Sequence, residues 1–124
     1  MTSKFEEKCC EIIERLLNKK FKRSYRPDFL KNPETGKNLE LDMYSKELML
    51  AIEVQGVQHF CYNEKNPAFG MTKEDFIKQV RRDDYKWKVC EMLGIKLIRI
   101  PYTFEGPKLE EEITKLLIKK EVLK

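Results

Sequence analysis

Between Leu39 and Phe60 the chain reads LELDMYSKELMLAIEVQGVQHF, two apolar alternations that each carry carboxylates. Leu39, Leu41 and Met43 alternate with Glu40, Asp42 and Tyr44; Leu48, Leu50, Ile52 and Val54 then alternate with Met49, Ala51, Glu53 and Gln55. A period of two marks a strand with one apolar face, so the stretch is expected to fold as an antiparallel hairpin. Opposed residues share a face, which restricts the register to those that keep the two apolar rows together. One such register sets Asp42 opposite Met49 and leaves Glu53 too far along the strand. The other makes Ser45 to Leu48 the loop, sets Asp42 opposite Ala51 and makes Glu53 its diagonal neighbour. Diagonal neighbours lie about 7–8 Å apart, a gap that a Mg²⁺ roughly 2 Å from each carboxylate oxygen spans.

The rest of the chain fits one folded domain, residues 1–124. At 41% hydrophobic residues it can bury a core without staples. Its net charge of +4 is too small to matter unless the cations cluster. Cys9, Cys10, Cys61 and Cys90 have no CxxC spacing, and His59 is the single histidine, a pattern that disfavours zinc and suits free thiols in an intracellular, reducing compartment. No stretch approaches a membrane span, and the N-terminus has no apolar leader.

Residues 3 to 19 read as a helix, with Ser3 as N-cap and Glu6 as its capping-box partner. Glu6 also falls between Ile13 and Leu17 on the helical wheel, along the buried stripe. Five cations follow, Lys19, Lys20, Lys22, Arg23 and Arg26, interleaved with Phe21 and Tyr25. Such a run is either a solvated helix end or a phosphate-contact patch. Tyr25 to Leu30 reads as a short extended strand, and residues 61 to 72 as a loop that can fold over substrate. Thr72 caps a second helix, 73 to 93, whose expected apolar stripe is Phe76, Val80, Trp87 and Cys90, with Trp87 in the core. Asp83 lies in that stripe and needs a partner, for which Lys86 is placed. A strand over 95 to 100 and a helix over 107 to 121 complete the chain.

An acid on one strand (Asp42), Glu-x-Gln on the next (Glu53, Gln55), Gly56 and then Gln58-His59 resemble the PD-(D/E)XK nuclease superfamily. The resemblance runs from Ser3 to Tyr102 and is strongest to the branch of the very-short-patch repair endonuclease and small nuclease-like proteins of large DNA viruses and phages. It implies an α/β fold, the restriction-endonuclease-like three-layer α/β sandwich with an αβββαβ core, here with an additional C-terminal helix. It further implies Mg²⁺, with Mn²⁺ able to substitute, held by Asp42, Glu53 and the carbonyl of Val54, and Glu6 on the first helix reaching the metal site. Asp83 and Lys86 resemble the branch's helix signature. Gln55 stands where the superfamily usually has lysine, and Phe5 where the branch usually has glycine before the helix glutamate. Pro27-Asp28 matches the letters of the superfamily name, but Asp28 precedes a loop whereas Asp42 sits in a strand.

Phosphodiester hydrolysis needs an in-line water, charge neutralisation and help for the leaving oxygen, which acid-bound Mg²⁺ supplies in large part. Lys86 can provide the cation that Gln55 cannot. His59 is suited to proton transfer or is simply structural, and Gln58 to a phosphate contact or solvent. The leading expectation is a Mg²⁺-dependent DNA endonuclease, nicking or structure-specific. The alternatives are a nucleic-acid-binding module without turnover and an RNA-processing nuclease. A double-strand cut would require a homodimer.

Overall fold

In the computed structural model, residues 4–55 and 72–123 are described. The apolar period of the N-terminal segment becomes helix α1, Lys4–Leu17, which buries Phe5, Cys9, Cys10 and Ile13. Strands β1 (Lys22–Tyr25), β2 (Leu41–Ser45) and β3 (Leu50–Val54) follow, then helix α2 (Lys73–Met92), strand β4 (Lys96–Ile100), a 3-10 turn over Tyr102–Phe104 and helix α3 (Leu109–Lys119). The strands form one mixed sheet in the order β1-β2-β3-β4. The first three pair antiparallel, while β3 and β4 run parallel and are joined through α2, as a parallel pair requires a long crossover.

Helices cover both faces of the sheet. On one, α1 and α3 pack Ile13, Ile113 and Leu117 against Met43, Ile52, Ile98 and Ile100. On the other, Cys90 of α2 meets Tyr44, Ala51 and Leu97, with Leu30 and Leu41 completing the cluster. The three layers and the order αβββαβα agree with the expected α/β class.

Several boundaries differ from the expected ones. The hairpin loop is Lys46 to Met49, and Tyr44 lies opposite Ala51. This register is displaced by two residues from the expected one, which keeps Met43, Ile52 and Val54 on one face and Tyr44 and Ala51 on the other; Leu39 and Leu41, expected with Met43, pack instead with Tyr44 and Ala51. The loop chemistry decides the register: Met49 takes a left-handed φ of 50°, its N–H bonds to the Lys46 carbonyl, and the Leu48 N–H bonds to Ser45 Oγ. Leu48 and Met49 are consequently exposed turn residues. The expected strand over Tyr25 to Leu30 is instead β1 followed by a turn. Ser24, at φ 49°, breaks the alternation of β1. Arg23 therefore turns toward the acids of α1, whereas Tyr25 stacks on Tyr44 on the opposite face.

Helix α2 begins as expected, with Thr72 Oγ1 accepting from the Asp75 N–H. Its inward stripe is not the apolar one. Val80 is 50% exposed and Trp87 42%. The residues turned inward, Gln79, Asp83, Lys86 and Cys90, follow the i, i+4, i+7 spacing of one helical face. Polar anchoring on the sheet outweighs the hydrophobic preference of Val80 and Trp87.

Candidate active site

Pairing of β2 with β3 runs from Ser45–Leu50 to Met43–Ile52, and the next rung would set Asp42 directly opposite Glu53. There the backbone ladder gives way to a side chain: the Val54 N–H donates to Asp42 Oδ2 at 2.8 Å. The N–H and C=O of one strand residue point the same way, so the Val54 carbonyl leaves β3 on the Asp42 side. The next N–H, that of Gln55, points the other way and donates to the Ile100 carbonyl. Gln55 itself is half-buried.

Glu53 is buried, and its Oε1 lies 2.7 Å from Lys86 Nζ, itself largely covered. The lysine of α2 thus reaches the carboxylate of β3, and not Asp83 as its sequence spacing suggested. A pair this enclosed is costly to break from one side, because the remaining charge has no water to turn to. Asp42 is half-buried, and its carboxyl is pushed up to about 7. Burial is the main cause, reinforced by the charges of Glu6 and Glu53 and opposed by the Val54 hydrogen bond and by Lys86. Glu6, half-buried on α1, is raised by burial first and by Glu40 second, with Arg23 opposing.

Three charged groups from three elements therefore converge, with a fourth acting on them from α1. Among the described residues, no three His, Cys, Asp or Glu side chains gather into a metal-holding group. Glu6 accordingly affects Asp42 through its charge and does not join Asp42 and Glu53 in a three-acid cluster. The opposed pair still suits Mg²⁺, which is commonly held by one or two carboxylates while keeping waters. A desolvated Asp42 carboxyl whose proton affinity is raised further by the neighbouring Glu53 charge favours a cation beside it.

Arg99 is a site neighbour that the sequence reading passed over. In the parallel register it stands beside Glu53, its Nη2 donates to the Asp83 carbonyl, and its guanidinium lies 5.9 Å from the Trp87 ring. Its signal was an arginine inside the apolar run Ile-Lys-Leu-Ile-Arg-Ile, on the face of Leu97. Cys90, close by, is a thiol raised to about 11 by burial and by Glu53. Cys9, Cys10 and Cys90 are all free and buried, and burial leaves them poor nucleophiles. Gly56, Gln58, His59, Cys61 and the loop over 61 to 71 lie outside the described residues, as does Ser3.

The basic run is largely matched with acids. Lys19 meets Glu47 at 2.7 Å, Arg23 meets Glu14 at 2.9 Å and Glu7 at 3.5 Å, and Arg26 meets Glu40 at 3.0 Å. Lys20 lies 3.9 Å from Glu14, and Lys22 sits over the Tyr25 ring. Asp28 accepts from Asn38 Nδ2 in an exposed turn.

Three of the curated relatives are viral proteins. The chain is 46% identical over 101 residues to "Uncharacterized protein 094L" of Frog virus 3 (isolate Goorha), which covers 82% of this chain and 63% of that protein. It is 36% identical over 103 residues to "Uncharacterized protein 033L" of Invertebrate iridescent virus 3, covering 83% of this chain and 51% of the relative. A third match, "Uncharacterized protein 307L" of Invertebrate iridescent virus 6, is 46% identical over 83 residues, 63% of this chain and 41% of the relative. The chain thus spans between about two-fifths and two-thirds of these relatives. No protein-family model and no solved structure matches it. Among the described residues, no helix is long and apolar enough to cross a membrane.

Proposed function

We propose that the chain is a Mg²⁺-dependent endonuclease acting on DNA, with a restriction-endonuclease-like fold and its site at the open end of β2 and β3. The observation that carries this reading is the meeting of Asp42, Glu53 and Lys86 across three elements where the backbone pairing stops. Asp42, Glu53 and the Val54 carbonyl would hold the ion, which when bound polarises the phosphate and lowers the pKa of water. Lys86 keeps a positive charge beside the acids, where it can offset the negative charge that grows on the phosphate. That relieves Gln55 of the duty that lysine performs in the superfamily, leaving its amide to orient a water. The Val54 amide holds the Asp42 carboxyl in a single orientation.

The test is nicking of supercoiled plasmid in Mg²⁺, Mn²⁺ or EDTA by the native protein, Glu53→Ala and Asp42→Asn. Metal-dependent nicking that is lost in both variants is the expected result. Asp42→Asn matters because removing a desolvated carboxyl should stabilise the fold, so that lost cleavage reports on chemistry alone. A second reading, a nucleic-acid-binding module without turnover, is favoured by Gln55 standing in place of lysine. It becomes the better account if folded native protein binds plasmid, single-stranded, branched or RNA substrates and cuts none of them with either metal.

A further inference from the structure

Helix α2 and the segment from Asn32 to Leu39 enclose a surface groove lined by Lys78, Arg81, Arg82, Tyr85 and Glu34. Three cations there face one carboxylate, and the sole ion pair among them is loose, Arg81 lying 3.9 Å from Glu34. Among the described residues, neither Lys78 nor Arg82 is paired with an acid. The basic run of residues 19 to 26 makes the opposite case. There Lys19, Arg23 and Arg26 are engaged by Glu47, by Glu14 and Glu7, and by Glu40, and a phosphate would have to displace those partners first. The groove has positive charge to spare, and it also has direction. Lys78, Arg82 and Lys86 follow one another at intervals of four along α2, a rise of about 6 Å per step, and Lys86 ends at Glu53. Half-buried Tyr85 and Leu39 supply a firm floor between the cations and the Asn32 turn.

We infer that this groove seats the phosphodiester backbone of a nucleic-acid strand, with Lys78 and Arg82 as its phosphate contacts, leading that strand to the Asp42–Glu53 site. The inference deepens the nuclease reading and rests on it for the strand's destination. Phosphate contacts carry no base information, so the groove accepts DNA or RNA of any sequence, and binding is governed by counterion release.

Fluorescence anisotropy tests this in EDTA, where cleavage plays no part. Labelled single-stranded DNA, RNA of the same sequence and duplex DNA are titrated at several salt concentrations. The proteins are the native chain, the double variant Lys78→Gln/Arg82→Gln, a rescue variant with Arg82→Lys in place of Arg82→Gln, and the comparator Lys19→Gln/Arg26→Gln, whose cations are held by Glu47 and Glu40. The double variant should weaken binding uniformly across sequences. Its slope of log affinity against log salt should fall by about 2 on a duplex or about 1.4 on a single strand. The rescue variant should recover about half of that fall, and the comparator should change the slope by less than about 0.5. All substituted side chains are more than one-third exposed, so melting curves should overlay. An unchanged slope in the double variant, an equal loss in the comparator, or no binding to any of the three probes overturns the inference. Loss of slope in a protein that never cleaves keeps the groove and removes the nuclease reading. Cleavage with an unaltered slope does the reverse.

Discussion

The two faces of the sheet are built on different principles. Under α1 and α3, the sheet contributes Met43, Leu50, Ile52, Val54, Ile98 and Ile100 to an aliphatic layer. Under α2 it contributes Tyr44, Ala51 and Leu97, together with the Glu53–Lys86 pair and Arg99, while Ile77, Val80 and Trp87 remain outside. The first face stabilises mainly by removing apolar area from water. The second combines a smaller apolar cluster with polar contacts that fix geometry and add little net stability. A domain that keeps the larger share of its hydrophobic burial on one side can place charge on the other without unfolding.

The largest effect should come from Lys86→Met, which leaves Glu53 buried without its ion-pair partner. Stability should fall by roughly 3–5 kcal/mol in urea titration, and most of that should return in Glu53→Gln/Lys86→Met. A cost below about 1 kcal/mol would mean that the polar face is not organised by this pair. Next comes Ile98→Ala on the aliphatic face, with an expected loss of roughly 2–4 kcal/mol. On the proposed nuclease reading, cleavage per folded molecule should be unchanged in this variant, and a selective loss of cleavage would contradict the separation of the two faces.

Asp42→Asn has the opposite sign and depends on pH. With the native carboxyl at about 7 and an ordinary value of 3.8, the folded state binds the proton more tightly than the unfolded state does. The stability tied to this group is complete below about pH 4 and is lost as pH rises through 7. The asparagine variant, neutral throughout, should match the native protein near pH 4 and exceed it by about 1–3 kcal/mol at pH 8 in EDTA. Equal melting temperatures across that range would place Asp42 in water. The smallest effect should be that of Val80→Ala, within about 0.5 kcal/mol, since its side chain is half in solvent. A loss of 2 kcal/mol there would restore the apolar stripe of α2 to a core role.

Much of this contrast was legible in the sequence, because the period of two assigns the faces from Met43 to Val54 whatever the register, although Leu39 and Leu41 depart from it. That is why Asp42 and Glu53 could be paired before the register was known. The register itself depended on the left-handed φ of Met49 and the Ser45 hydroxyl, which no pattern of hydrophobicity encodes. The inward face of α2 was misjudged for a related reason. Counting apolar residues favours Val80 and Trp87, whereas the helix is oriented by Lys86, Cys90 and the grip of Arg99 on the Asp83 carbonyl. Likewise the cations of residues 19 to 26 could be counted, but their acidic partners, as distant in sequence as Glu47, could not.

The hydrogen bond that closes the β2–β3 pairing has a further consequence. A backbone carbonyl accepts with the same strength at any pH the protein survives, whereas the acceptor here is a carboxyl that titrates near neutrality. The Val54 amide is therefore a built-in spectroscopic reporter. Its hydrogen-exchange rate and nitrogen chemical shift should follow the protonation of Asp42, and any cation drawing on the same oxygen should register at that one peptide group before a substrate has been added.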